Sequence, residues 1–321
     1  MNNVAIAVRP SGLLQGSDLS FRNDVVAGLG NRMKSLPAKY LYDAAGSALF
    51  DLITGVEEYY VTRSEIGILT GSGSAIGFLF ASNCALIELG AGSSRKSRIL
   101  LGATASIGAY VPVDISGEFL REDLAKLRKD FPHLAVYPLE CDFTKAFELP
   151  EAIAPSPRVG FFPGSTIGNL EPREAGHLLQ HFGTVLGKDA TLLVGVDLVK
   201  DRHILHDAYN DAQGVTARFN LNLLRRINRE LEGNFNFEAF EHQAFYNEPQ
   251  GRIEMHLVSR CRQEVRVCGH IFEFSPGETI HTENSYKYTV NSFQRLAERS
   301  GWSPVGVWTD NLFSVHALVY R

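Results

Sequence analysis

The sequence predicts an α/β fold in which a Rossmann-like, mostly parallel sheet carries an inserted α+β unit. Residues 84–98, CALIELGAGSSRKSR, pass from a short apolar run through Gly90-Ala91-Gly92 into a helix opening near Arg95, the strand-turn-helix order that begins a Rossmann-like crossover. Further apolar runs follow at 110–113, 134–141, 158–162 and 190–196, separated by helical stretches, and three of them lead into Asp114, Asp142 and Asp197. Past Lys200 the alternation stops. A mostly helical stretch over 201–232 precedes runs at 238–246, 252–260 and 263–274 that alternate like antiparallel strands, and Asn247, Pro249 and Gly251 turn the first two into a hairpin. The chain then returns to the sheet with a helix over about 289–300 and closing strands at 304–308 and 313–320, seven strands in all with an antiparallel terminal pair.

Taken from the start, the chain is weakly patterned and loose to about residue 20. Residues 21–29 have helical spacing, and Ser35-Leu36-Pro37 ends it. Between 39 and 60, Tyr40, Tyr42, Tyr59, Tyr60 and Phe50 are denser than a small surface helix needs. They read either as an aromatic cap over the sheet edge or as a lid whose ring faces and phenol oxygens meet a cationic ligand. Residues 63–80 read as a helix, weak or broken at Gly71-Ser72-Gly73-Ser74; no strand precedes that patch and no Lys-Ser/Thr follows it, so it is no phosphate loop. Arg121 through Lys129 reads as a solvated charged helix face.

Composition narrows the function. A length of 321 residues with 45% hydrophobic content supports a large core, and a net charge of -5 without any basic block excludes a nucleic-acid partner. Ser82 and Asn83 interrupt the longest apolar candidate, so no membrane span is expected, and the N-terminus lacks a basic region followed by an apolar core, so no export signal is expected. Cys84, Cys141, Cys261 and Cys268 show no C-x-x-C spacing and read as reduced thiols of a cytoplasmic protein. His177 and His181 have helical metal-ligand spacing, but Leu-Leu-Gln lies between them and no third ligand is evident, so no metal is expected.

The glycine turn indicates the ligand class. A dinucleotide fingerprint needs a third glycine where Arg95 stands. Glu88-x-Gly90-x-Gly92 after a strand instead resembles the turn of S-adenosylmethionine-dependent methyltransferases, which implies a class I methyltransferase sheet. Asp114 at the second strand tip can accept two ribose hydroxyls, and Asp142-Phe143 after the third suits an adenine amine and ring face. The loop after the fourth strand, PGSTIGNL over 163–170, faces the transferred group in this fold. Its Asn169 reads either as a donor to a substrate carboxylate or as the N-cap of the helix starting near Glu171.

LYDAAGSALFD, EEYYVTRSE, IELGAGSSRKSR, PGSTIGNL, DAYNDAQGVTARFN, RIEMHL and TENSYKY, colinear from about residue 24 onward, together resemble the histidine-specific, S-adenosylmethionine-dependent Nα-methyltransferases of ergothioneine biosynthesis. The resemblance implies trimethylation of L-histidine to hercynine. It implies an S-adenosylmethionine domain formed by 63–199 and 287–321, and a substrate-binding domain formed by 1–62 and 200–286. It places cofactor contacts on Gly90, Lys96, Asp114, Asp142 and Phe143. Histidine contacts fall on Tyr59, Asn169, Tyr209, Met255, Glu283, Asn284 and Ser285, and Tyr42, Phe50 and Tyr59 lie near the reacting amine. A monomer acting on a free small molecule is expected.

Methyl transfer needs two reactants held in line and charge neutralised, without a metal. Asn169 and Tyr209 are expected to hold the carboxylate, and Glu283 with Ser285 the imidazole edge, which an indole could not satisfy. A phenol or water relay through Tyr42 or Tyr59 would help deprotonate the amine, and Phe50 would accommodate the growing methylammonium. Taken locally, Tyr209 and Met255 also fit core packing, and Glu283 fits a solvated acid in a polar loop. Two other functions stay open: an α-N-methyltransferase for another amino acid such as tryptophan, which would favour an apolar residue at 283, and a non-catalytic ligand-binding homologue.

Overall fold

The computed structural model describes residues 16–115 and 117–321, without the side chains of 16–18 and 117–123. The expectations for residues 1–15 and for the Arg121, Glu122 and Asp123 face lie outside these. The first helix, α1 (Gly16–Gly30), begins earlier than its spacing predicts and leads into β1 (Lys34–Ser35), α2 (Ala44–Ile53) and α3 (Tyr60–Gly77). Asp43 caps α2 by accepting from the Gly46 amide at 2.8 Å. Helix α3 continues unbroken through 71–74, because packing against the following helix and the last strand outweighs weak local propensity.

The main sheet is built next. It contains β2 (Cys84–Leu89), then α4 (Arg95–Ala103), β3 (Ile107–Asp114), α5 (Gly117–Asp130), β4 (Ala135–Val136), β5 (Leu139–Glu140), β6 (Arg158–Phe162), α6 (Pro172–Leu186) and β7 (Thr191–Asp197). The run expected as one strand over 134–141 is split, since Pro138 supplies no N–H to the ladder between its two short pieces. Every residue of β2 and β7 is buried. Both faces of the sheet are covered: Cys84 and Leu86 enter one core while Ala85, Ile87 and Leu89 enter the other, so period-2 alternation appears as a continuous apolar run.

The inserted part comprises α7 (Arg202–Tyr209), α8 (Val215–Glu230), β8 (Phe240–Asn247), β9 (Arg252–Ser259), β10 (Gln263–Val267), β11 (His270–Phe274) and β12 (Thr279–Tyr286). The run expected as one strand over 263–274 is a separate hairpin, β10 with β11. Strands β1, β12, β9 and β8 form a second sheet in that order. The polar loop expected around Glu283 is therefore a strand, paired with β9 on one side and β1 on the other. The chain closes with α9 (Val290–Arg299), capped by Thr289, and the antiparallel pair β13 (Trp302–Thr309) and β14 (Phe313–Tyr320).

The main sheet runs β13-β14-β7-β6-β2-β3-β4, with β5 also on β3; β14 is antiparallel to β7, and the strands from β7 to β4 are parallel. Strand order reverses at β2, between β6 and β3. The crevice beyond its carboxyl end is where such a sheet receives a ligand, and β12 descends to the same edge, where the Tyr288 amide donates to the Asp197 carbonyl at 3.0 Å. Among the described residues no helix is long and apolar enough to cross a membrane.

Candidate functional site

One cavity of about 1350 Å³ lies between the two sheets, and every site residue singled out from the sequence lines it. Gly90 follows β2 with φ of 77°, a conformation costly for any residue with a Cβ. The Phe143 ring lies 3.4 Å from where that Cβ would stand, and packs on Phe162 and Phe182 at centroid distances of 5.6 and 6.2 Å. Asp114 accepts from the Gly92 amide at 3.1 Å, which ties the turn to the tip of β3. Burial pushes the Asp142 carboxyl up, but the Thr144 hydroxyl and amide outweigh it and hold the group below its usual range. Lys96 on α4 pairs with the fully buried Glu65 at 2.6 Å, and Glu65 also receives the Gly164 amide at 2.9 Å. A positive-φ turn with a phenyl ring against it and carboxylates at the next two strand tips suits the methionine, ribose and adenine parts of S-adenosylmethionine.

The opposite wall comes from the second sheet. Glu283 and Ser285 alternate onto one face of β12, and Met255 is the cross-strand partner of Glu283, which puts a thioether beside that carboxyl. Burial pushes the Glu283 carboxyl up to about 7, against the lowering influence of Lys287. Asn169 does not cap α6; Glu171 does, in a capping box with Glu174. Asn169 instead ends a short 3-10 turn and donates to Glu283 Oε1 at 3.3 Å. That turn sits close to β12, since a Cβ at Gly168 would stand 2.8 Å from the Tyr286 carbonyl oxygen. Asn284, on the alternate face of β12, also reaches the cavity, its amide 3.5 Å from Glu171 Oε1, which lines it too.

Tyr42, Phe50 and Tyr59 form an aromatic wall with Phe219 of α8 and Tyr209 of α7. The ring centroids are 5.5 Å apart for Tyr42 and Phe50, 5.3 Å for Tyr42 and Phe219, 6.2 Å for Phe50 and Tyr59, and 6.4 Å for Tyr59 and Tyr209. Burial, then neighbouring acids and phenols, raises the Tyr42, Tyr59 and Tyr209 hydroxyls well above their ordinary value. All three therefore stay protonated near neutral pH, which leaves a neutral relay but no phenolate base.

Sequence reasoning missed a charged cluster behind this wall. Asp197, at the tip of β7, pairs with Lys200 at 2.5 Å and Lys287 at 2.7 Å and accepts from Tyr60 at 2.8 Å. Burial pushes Asp197 up and the two lysines more than offset it, whereas burial and Lys287 lower Lys200 to about 8 despite Asp197. The available signal was Asp197 itself, a strand-tip acid like Asp114. Phe219 gave none, because on an amphipathic helix it looks like core. Glu254, His256 and His281 come within reach of a common ion, but Arg252 already pairs with Glu254 at 2.7 Å and the two imidazoles stack at 4.6 Å.

Residues 21–320 match the model of a family described as histidine-specific, SAM-dependent methyltransferases. The chain is 40% identical over 300 residues to the histidine N-alpha-methyltransferase of Mycolicibacterium smegmatis, with 91% of each chain covered. To the protein of that name from Mycobacterium tuberculosis it is 39% identical over 300 residues, covering 91% of this chain and 92% of the other. It is also 32% identical over 309 residues to ergothioneine biosynthesis protein 1 of Neurospora crassa, covering 89% of this chain and 33% of that protein.

Proposed function

This chain belongs to the family of histidine-specific, SAM-dependent methyltransferases, and from that premise we propose that it trimethylates the α-amino group of L-histidine to hercynine, the first step of ergothioneine biosynthesis. The observation that carries the reading is the single cavity lined by Gly90, Asp114 and Asp142 on one wall and by Asn169, Tyr209 and Glu283 on the other. Bound S-adenosylmethionine supplies a methyl group on a positively charged sulfur. The protein's part is to hold the amine in line with that methyl and to manage charge.

Gly90, Lys96, Asp114, Asp142 and Phe143 hold the cofactor, within a domain formed by 63–199 and 287–321. Residues 1–62 and 200–286 form the substrate domain. Asn169 and Tyr209 take the carboxylate of L-histidine, Glu283 and Ser285 take the imidazole edge, and Met255 packs beside it. Asn284 contributes from the same strand. Phe50, Tyr42 and Tyr59 surround the amine as it gains methyl groups and positive charge, which ring faces tolerate. Lost hydration lowers the amine's proton affinity, and a neutral phenol or water relay carries the proton away. The enzyme acts as a cytoplasmic monomer on the free amino acid.

Incubation with L-histidine and S-adenosylmethionine, followed by mass spectrometry, should show successive gains of one, two and three methyl groups on the α-nitrogen. Release of S-adenosylhomocysteine with L-tryptophan but not with L-histidine would overturn the substrate reading.

A further inference from the structure

We propose that Lys287 is a specificity-determining positioning residue that turns the Tyr209–Ser285 hydroxyl pair into a donor for the substrate's carboxylate. The inference rests on the histidine reading above. Lys287 follows β12 and its side chain is fully buried behind the cavity wall, while Tyr209 and Ser285 line the cavity itself. Its ammonium has three N–H groups and three acceptors: Asp197 Oδ2 at 2.7 Å, Ser285 Oγ at 2.7 Å and Tyr209 Oη at 3.2 Å. The two hydroxyl oxygens also bond each other at 2.7 Å.

The proton count follows from this triangle. Two hydroxyls own two O–H groups, and one of these is used in their mutual bond. Each oxygen also accepts from Lys287, so whichever oxygen accepts the mutual bond has both lone pairs occupied and its own O–H pointing out of the triangle. One hydroxyl donor, backed by an ammonium, is left over for a ligand. With Lys287 one lone pair remains, on the oxygen that donates the mutual bond; without Lys287 three would be free and the pair could receive an ammonium or alcohol equally well.

Charge points the same way. Asp197 also holds Lys200 and the Tyr60 hydroxyl, so two ammonium groups face one carboxylate. The buried excess favours an incoming anion. Glu283 is the other acid within the field of Lys287, and once it faces an imidazole the substrate carboxylate can take its place near the ammonium.

The test is calorimetric titration of wild type and Lys287→Met with L-histidine and with histidinol, which lacks the carboxylate, in the presence of S-adenosylhomocysteine. Lys287→Met should raise the Kd for L-histidine about 30-fold, as loss of hydrogen bonding to a charged group does, while the Kd for histidinol moves less than about threefold. In a Tyr209→Phe background the same substitution should cost L-histidine much less, because the lysine acts through that hydroxyl. Equal weakening of both ligands would mean that Lys287 only supports the fold, and no change in either would remove it from recognition. If Lys287→Met fails to melt cooperatively, Lys287→Gln removes the charge with less change in polarity, and the same ratio decides. A wild type that prefers histidinol to L-histidine would defeat the substrate reading and this proposal with it.

Discussion

Glu283 is one carboxyl asked to do two things, and its environment shows which comes first. Burial pushes it up to about 7, so at neutral pH it is poised between accepting a proton from an imidazole and keeping its own. An imidazole has an ordinary value near 6.5, so as pH falls below about 6 both partners become protonated and the ion pair between them is lost. Calorimetry should show affinity for L-histidine falling in that range, and Glu283→Gln should weaken binding at pH 7.5 and flatten the pH profile. A variant that kept the wild-type pH profile would exclude Glu283 as the imidazole partner. Phe50 can be tested through products: Phe50→Ala should shift the mono-, di- and trimethylated distribution toward the lower species, read by mass spectrometry, and an unchanged distribution would exclude it from the cation-binding wall. The wall was legible because Tyr42, Phe50, Tyr59 and Tyr60 crowd a short stretch. Tyr60, however, turns to Asp197, and Phe219, which completes the wall, lies far along the chain, where spacing alone says only that a helix has an apolar side.

At the scale of elements, β12 and the 3-10 turn over Thr166–Asn169 matter together, because their contact holds Asn169 against Glu283. The backbone of the turn comes so close that Gly168→Ala would drive a methyl group to 2.8 Å from the Tyr286 carbonyl oxygen, and one element must move. The expected result is at least a tenfold loss of L-histidine affinity, about 1.4 kcal/mol, with S-adenosylhomocysteine bound nearly as before. Equal loss of both ligands in calorimetry would show general unfolding and no local shift. The strands of the parallel sheet were readable because burial on both faces leaves runs that are apolar but for one residue, as in Cys84–Leu89 with Glu88 and Arg158–Phe162 with its leading arginine. β12 was not readable. Its sequence, HTENSY after the first two residues, is mostly polar because its side chains line a cavity and bond one another, so local composition resembles a loop. The hairpin of β10 and β11 was missed for a different reason: its turn pairs Gly269 at φ of 80° with Cys268 at φ of 50°, and cysteine where such turns usually carry Asn or Asp weakens the signal.

At the scale of the whole molecule, the same burial that prepares the site makes stability depend on pH. Burial pushes Glu88 up to about 8, only partly offset by hydrogen bonds from Ser97 and Tyr110, and pushes Glu283 up to about 7. Both acids hold protons in the folded state that the unfolded chain releases near its ordinary value of about 4.5. Their contribution is therefore fully present below that value and is lost as pH rises through about 7 and then about 8, at up to about 1.4 kcal/mol per pH unit for each proton. Buried His316, lowered to about 4, has the opposite sign. Its contribution is present above the ordinary imidazole range and is lost as pH falls toward 4, so it limits the gain on the acid side; Lys200, lowered to about 8, favours the fold only as pH rises above that value, so the fall below it belongs to the two acids. The melting temperature in scanning calorimetry should accordingly fall between pH 6.5 and 8.5. Glu88→Gln keeps the volume and a carbonyl acceptor for the Ser97 and Tyr110 hydroxyls but cannot ionise, so it should make that fall shallower. A wild-type melting temperature that rose over this interval, or a Glu88→Gln protein with the same slope, would mean that Glu88 is already ionised in the fold. The strand-to-helix tie at the start of the cofactor turn would then be an ion held by two hydroxyls, and the glycine turn would carry a buried negative charge facing the site of a cationic ligand.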